Sequence, residues 1–370
     1  MTMLKIFGDF HHSGAAQAQA LLFQRRLGHA LHFPNTDFVV GILNQGWCTA
    51  SDMMACAPGW LNSMGGYPQM ASRDAYFPMG LEEFMSTSWD VWLVTRIETQ
   101  RMFQELRKLH PSGNRVKIIG LTGNDNTPFD WPNIPNLMTS DYATFRNSPA
   151  DIHKIWYSQE IGQHYYSEPF TPINRCSLKV VNQFVNCFPS MRGPWYERYD
   201  MSNWRSQCPY CQADQNGAPM GRKIDPYGIW CGAKDRLPDH QFEEYGINCT
   251  HGCINETEMP KAYDSGAVTV HFKCYDGYGF SMLQSIVRGR PVIVPRGFHK
   301  FRTAGKYLIP NLTCFEADWN SASLAEVIQY VTGSEGRANM YATACWRAAR
   351  GLFDWGLEAF RVSEFMEDLR

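Results

Sequence analysis

A chain of 370 residues, 44% hydrophobic and 19% charged, with 12 Trp and 22 Phe, can bury enough apolar surface to offset the entropy of folding. It is also long for a single core, so two domains are expected and disorder is excluded. Lysine plus arginine total 34 against 36 for aspartate plus glutamate, so bulk charge marks neither a polyanion nor a membrane as partner, and any basic patch has to be local. No run of about 18 apolar residues occurs, and the opening MTMLKIFGDF has no cationic stretch leading into an apolar segment. A cytoplasmic protein without stable membrane association is therefore expected, its 12 cysteines reduced or metal-bound rather than paired as disulfides.

Leu4–Phe7 reads as a strand, Asp9–Gly14 as a turn, and Ala15–Leu27 as a helix stopped by Gly28. The apolar run Phe38–Leu43 follows, and the stretch from there to about Ser86, rich in Gly, Pro, Met and aromatics, is expected to be irregular. Alternation resumes with strand Asp90–Thr95, helix Glu98–His110, strand Val116–Leu121 and short segments at Asn136–Ser140 and Ile152–Gln159, the pattern of a parallel α/β sheet. Ser167–Asn174 carries two prolines and is the best linker candidate. A second alternation runs through strands Leu178–Asn186 and Ala267–Lys273, helix Phe280–Arg288, strand Pro291–Val294 and a helix from near Leu324. Residues 196–256 interrupt it with cysteines, Gly and Pro and are expected to be an insertion. In the tail, Leu352, Trp355, Phe360 and Phe365 form an apolar stripe expected to pack on a domain surface. The expected organisation is an α/β fold of two Rossmann-like domains facing a central cleft: 1–170, 171–350 with the Cys-rich insertion, and a terminal helix within 351–370.

The most informative stretch is VTVHFKCYDGYGFSMLQSIVRGRPVIVP, Val268 to Pro295. A strand ends near Lys273, Gly277 and Gly279 let the backbone approach a ligand, and a helix opens at Phe280 with Phe280, Leu283, Ile286 and Val287 expected to face inward. The free N–H groups of its first turn suit phosphate or polar oxygens, and Asp276 sits at the strand's carboxyl end, where open α/β sheets bind ligands. The same residues also fit a plain glycine turn with an N-capping acid.

The segment DGYGFSMLQSIVRGRPVIV resembles the donor-binding signature of GT-B-class nucleotide-sugar glycosyltransferases with a family 4-like donor motif: an acid, a Gly-aromatic-Gly turn, and a second acid eight residues later before a Pro-Val strand. LKIFGDFHHSG and YGINCTHG are similar to phage-encoded, DNA-modifying members of that class. The resemblance implies that Asp276 contacts the sugar and that Gln284, an amide where the class has a glutamate, binds the ribose hydroxyls. It also places Gly277, Tyr278, Gly279, Phe280 and Ser281 near the donor phosphates. A cation should neutralise the departing diphosphate, and Arg192, Lys273, Arg296 and Lys300 are candidates.

In the first half Asp9, His11, His12, Ser13 and Gly14 follow strand one at its carboxyl end, where a histidine can serve as general base or hold phosphate, or where the cluster simply caps a turn. Arg96 and Glu98 occupy the same edge of a later unit. If the chemistry resembles the retaining branch of the class, no protein nucleophile and no catalytic metal is obligatory. Cys208, Cys211, Cys249 and Cys253 form two close pairs able to hold a structural zinc, with Cys231, His240 and His251 in reserve. No G-x-x-x-x-G-K-[ST], H-E-x-x-H or G-x-G-x-x-G is present, which weighs against ATPases, zincins and nicotinamide dehydrogenases.

The expected activity is sugar transfer from a nucleoside-diphosphate donor, such as a UDP-sugar, to a hydroxyl, with 5-hydroxymethylpyrimidine in phage DNA favoured over a cell-surface glycan. In that case the protein would work in the host cytoplasm. Arg101, Arg107, Lys108, Arg115 and Lys117 form a candidate phosphate-tracking surface, and Trp195, Tyr196, Trp204, Tyr210 and Trp230 are candidate stacking groups. The alternative from another class is a non-catalytic, zinc-stabilised nucleic-acid-binding protein.

Overall fold

The computed structural model describes residues 3–8, 18–46, 77–95, 97–122, 129–184, 226–246, 249–252, 254–255, 257–272, 278–298 and 303–370. The chain divides into two compact units, Met1–Gly162 with Trp355–Arg370, and Gln163–Asp354.

The first unit is built on a parallel sheet of β1 (Lys5–Gly8), β2 (Ala30–Pro34), β3 (Phe77–Met79), β4 (Val91–Val94), β5 (Lys117–Thr122), β6 (Asn136–Thr139) and β7 (His153–Trp156). Their order is β3-β2-β1-β4-β5-β6-β7, with Ile6 opposite both Leu31 and Val91. Strands covered on both faces read as unbroken apolar runs, as VWLV of β4 does with every side chain buried. Phe7 is the centre of the core, its ring 4.6 Å from Phe84, 5.1 Å from Phe38 and 5.3 Å from Trp89.

Three local features add to the sequence reading or differ from it. Gly28, at φ 70°, ends the first helix, whose described part includes Ala20–Arg26, and β2 follows two residues later as a strand too short to announce itself. The run Phe38–Leu43 lies in a helix, Thr36–Asn44, because Asn35 Oδ1 accepts the Phe38 N–H at 3.0 Å and Phe38 and Ile42 bury one helical turn apart. Part of the stretch expected to be irregular is regular, giving β3 and the helix Leu81–Ser86.

The second unit holds β8 (Val180–Phe184), β9 (Gln241–Tyr245), β10 (Val268–Val270), β11 (Val292–Pro295) and β12 (Cys314–Ala317), all parallel in the order β12-β11-β10-β8-β9. Both sheets are parallel with interleaved helices, so the chain is an α/β protein of two units. The Cys-rich insertion is not shown as such. Residues 226–245 of that span hold the helix Pro226–Arg236 and β9, the edge strand of the second sheet, both integral parts of the second unit. Trp230 anchors them, fully buried, with its indole N–H donating to Glu244 at 2.5 Å and its ring 4.8 Å from Phe242. It is a core residue, unavailable for stacking on a base.

Ser167–Asn174 is held within the second unit by its backbone. Asn339 bonds both the N–H and the C=O of Ile173, at 2.8 and 2.6 Å, and the Thr171 hydroxyl donates to Asp264 at 2.9 Å. After the helix Glu335–Leu352 the chain rejoins the first unit through the helix Trp355–Glu367, which adds Ala359, Val362, Phe365 and Met366 to its core. The His153 ring stacks on Phe365 at 4.4 Å, and Glu358 accepts the Ser158 N–H at 3.2 Å. Phe360, expected on the buried stripe, is 59% exposed, because Trp355, Ala359, Val362 and Phe365 define the packed face instead. Among the described residues no helix is long and apolar enough to cross a membrane.

Candidate functional site

In a doubly wound sheet the ligand crevice lies beyond the carboxyl ends of the strands where strand order reverses. In the second unit that point is between β8 and β10. β10 leads through His271 and Phe272 to residues 273–277, outside the described set, and then to Tyr278, Gly279 and the helix Phe280–Val287. Gly279 precedes the helix at φ 75°, ψ 50°, a left-handed conformation natural to glycine, and among the described residues no side chain caps the helix start. A Cβ at Gly279 would lie 2.1 Å from Met282 Cε.

The helix buries Met282, Leu283, Ser285, Ile286 and Val287, leaving Phe280, Ser281 and Gln284 half-buried on its other face. Phe280 is thus on the accessible side, contrary to the inward position expected from the sequence, because Met282 and Ser285 take the buried positions. The Ser285 hydroxyl, donating to the Arg290 carbonyl and bonded to the Thr269 hydroxyl at 2.8 Å each, ties the helix to the sheet. Ser281 Oγ lies 3.3 Å from Nδ1 of the buried His271. The Tyr263 hydroxyl donates to Gln284 Oε1 at 2.9 Å, and the Tyr263 ring is 3.9 Å from Phe184 at the carboxyl end of β8. Phe184 in turn stacks on Tyr245 of β9 at 4.9 Å, so an aromatic row links the carboxyl ends of β8 and β9 to Gln284. Burial, the dominant effect, raises the Tyr245 phenol above its ordinary value.

Directly after this helix two buried arginines converge on the helix Met259–Asp264 and the chain before β8. Arg288 bonds the Asp264 carboxylate at 2.5 and 3.1 Å and the carbonyls of Glu168 and Pro169 at 3.0 and 2.9 Å. Arg290 serves the carbonyls of Gly266, Thr171 and Asp264 at 2.7, 2.9 and 3.1 Å. Burial pulls the Arg290 guanidinium down to about 10, with Asp264 opposing, so it stays protonated at neutral pH. These cations are spent on the scaffold. Arg296, one of the four cations considered for the diphosphate, bonds Asp318 at 2.6 Å on the surface.

Asp276, Gly277, Lys273, Arg192 and Lys300 lie outside the described residues, as do Asp9, His11, His12, Ser13, Gly14 and Arg96. The chain enters 9–17 from the carboxyl end of β1, which with β4 forms the reversal point of the first sheet, and Glu98 is in the first turn of the helix Ile97–Leu109. Trp195, Tyr196, Trp204 and Tyr210 also lie outside.

Of the zinc candidates, Cys208, Cys211 and Cys253 are outside the described residues and Cys249 is inside. The His251 imidazole bonds Glu243, and His240 lies 2.9 Å from Asp239 and 2.8 Å from Thr332, so both reserve histidines are engaged. Among the described residues no group of three or more His, Cys, Asp or Glu could hold a metal. In the basic set, Lys108 pairs with Glu105 at 2.6 Å and Arg107 donates to the Gly113 carbonyl at 2.8 Å, while Arg101, Arg115 and Lys117 are exposed. Sequence reasoning missed Tyr263 and His271, since neither belongs to a motif and only the fold brings them to the turn.

No protein-family model matches the chain, and no curated protein matches it by sequence. Solved structures do match its fold. An alpha-glucosyltransferase in complex with UDP-glucose and DNA containing an abasic site superposes with a TM-score of 0.59 at 8% identity, covering 99% of each chain. The HepE protein of Anabaena in complex with UDP-glucose gives 0.58 at 11% identity over 100% of each. TarM gives 0.51 at 9% identity over 74% of this chain, which spans only 54% of TarM. The two-unit α/β architecture is thus that of the GT-B glycosyltransferases, at an identity that speaks for the fold alone.

Proposed function

We propose that the chain is a glycosyltransferase that moves a sugar from a nucleoside-diphosphate donor, a UDP-sugar in the first instance, to an acceptor hydroxyl. The observation that carries this reading is the helix Phe280–Val287, entered through left-handed Gly279 at the reversal point of the second sheet, without a side-chain cap among the described residues and with Ser281 and Gln284 on its accessible face. Such a helix start presents N–H groups and the positive end of a dipole to a diphosphate. In this reading Tyr278 to Ser281 line the phosphates, Gln284 meets the ribose and Asp276 meets the sugar. Lys273 or Arg192 offsets the charge of the leaving group. Asp9, His11 and His12, which follow β1 in the chain, serve the catalytic step, and Ser13 and Gly14 help to bind the donor. The transfer is of the retaining kind, with the leaving diphosphate assisting the incoming hydroxyl, and needs no protein nucleophile.

DNA carrying 5-hydroxymethylpyrimidine is the favoured acceptor, supported by the fold match to an enzyme bound to both UDP-glucose and DNA. The test is incubation of purified protein with radiolabelled nucleotide sugars and duplexes that differ only in the 5-hydroxymethyl group. Label in the hydroxymethylated duplex alone is the expected result. Donor turnover with no label in DNA would move the acceptor to a glycan, and salt-dependent DNA binding with no donor turnover would replace the enzyme reading with that of a binding protein.

A further inference from the structure

The Tyr263 hydroxyl donates to Gln284 Oε1 at 2.9 Å, and Tyr263 has no freedom to withdraw. Its ring is fully buried, 3.9 Å from Phe184 and 6.2 Å from Tyr165, and the next residue, Asp264, is gripped by Arg288. This contact fixes the amide. One of the two lone pairs of its oxygen is taken by the tyrosine, and its nitrogen, with two N–H donors, is turned outward to offer; among the described residues nothing accepts from it.

A carboxylate at this position could accept the O–H groups of both ribose hydroxyls, and a missing hydroxyl would leave a charge short of a partner. Hydrogen bonds to charged groups contribute about 1.5–3 kcal/mol, roughly a 10- to 150-fold penalty for the deoxy compound. The held amide behaves differently. It donates to a hydroxyl in a neutral bond whose loss changes affinity by only about 2- to 12-fold, and on a half-exposed side chain the loss falls at the low end, because water replaces the missing oxygen.

We infer that Tyr263 and Gln284 together make the donor site indifferent to the 2′-hydroxyl, so that it accepts 2′-deoxyribonucleoside diphosphate sugars alongside ribonucleoside ones. This rests on the donor-site reading above.

The test is calorimetric titration of the full chain with UDP and with 2′-deoxy-UDP, which share base and diphosphate. The wild type is expected to bind both with dissociation constants within about threefold. Gln284→Glu should raise the ratio above about tenfold in favour of UDP. Tyr263→Phe keeps the buried ring but frees the amide to rotate and turn its oxygen fully towards ribose, and should raise the ratio part of the way. A wild-type preference for UDP above tenfold would overturn the inference while leaving the donor site in place. An unchanged ratio in Tyr263→Phe would overturn the part given to Tyr263. If neither nucleotide binds, the donor-site reading itself falls, and this inference falls with it.

Discussion

Gly279 is where the candidate site is most sensitive to a single carbon atom. Gly279→Ala asks an L-residue to hold φ 75°, which costs about 1–2 kcal/mol, and puts a Cβ 2.1 Å from Met282 Cε. The methionine tip is flexible, but Met282 is buried, so moving it off its rotamer adds of order 0.5–1.5 kcal/mol. A total near 2 kcal/mol is expected in one of two forms. If the turn keeps its conformation, the strain appears as stability, a fall in Tm of roughly 4–8 °C for a unit of this size. If the turn relaxes, UDP affinity drops by up to about thirtyfold. Thermal melting followed by circular dichroism, paired with UDP titration, separates the two. Gly279→Asn adds the same Cβ but enters the left-handed region more readily, so it should lose about half as much. An alanine variant that matches the wild type in both measurements would refute the reasoning. An asparagine variant as impaired as alanine would show that the steric contact, and not the backbone, is responsible.

Arg290→Met leaves the carbonyls of Gly266, Thr171 and Asp264 without their donor in a buried site and should destabilise the second unit by about 3–5 kcal/mol in urea unfolding. A loss below about 1 kcal/mol would mean that those carbonyls find other partners. Burial holds the His29 imidazole below its ordinary 6.5, with Asp90 opposing, while its Nδ1 accepts the Leu4 N–H at 3.3 Å. A folded value below the unfolded one means that stability is fully present above about pH 6.5 and is lost as pH falls through the folded value. His29→Gln should therefore flatten the urea midpoint between pH 7 and 5. His32 and His240 are lowered in the same sense and will leave a residual slope, and an unchanged slope would count against His29.

How much was legible in the sequence depended on whether a segment's neighbours were also its partners in space. The helix Phe280–Val287 could be read directly, since an apolar strand, two glycines and a second strand lie within thirty residues and the local pattern agrees with the fold. β2 and β3 could not, because strands of three to five residues yield too few alternations to stand out from flanking helices. The second edge strand was obscured by composition: Gln241–Tyr245 carries two glutamates and a tyrosine, and its membership in the sheet is decided by pairing with Val180–Phe184 some sixty residues earlier. Arg288 and Arg290 have the look of surface charges in sequence. Only the carbonyls folded around them show that they belong inside. Tyr263 acquires its meaning from a hydrogen bond to a residue on another helix, a relation that no spacing encodes.

The return of the Trp355–Glu367 helix to the first unit has a consequence for biosynthesis. A ribosome makes β1 long before the helix Trp355–Glu367, and the hydrophobic interior around that sheet stays open until Val362, Phe365 and Met366 emerge. The second unit, contiguous from Gln163 to Asp354, can close earlier, so the half begun first is the half completed last. Expressing residues 1–162 alone would yield an apolar groove with nothing to fill it.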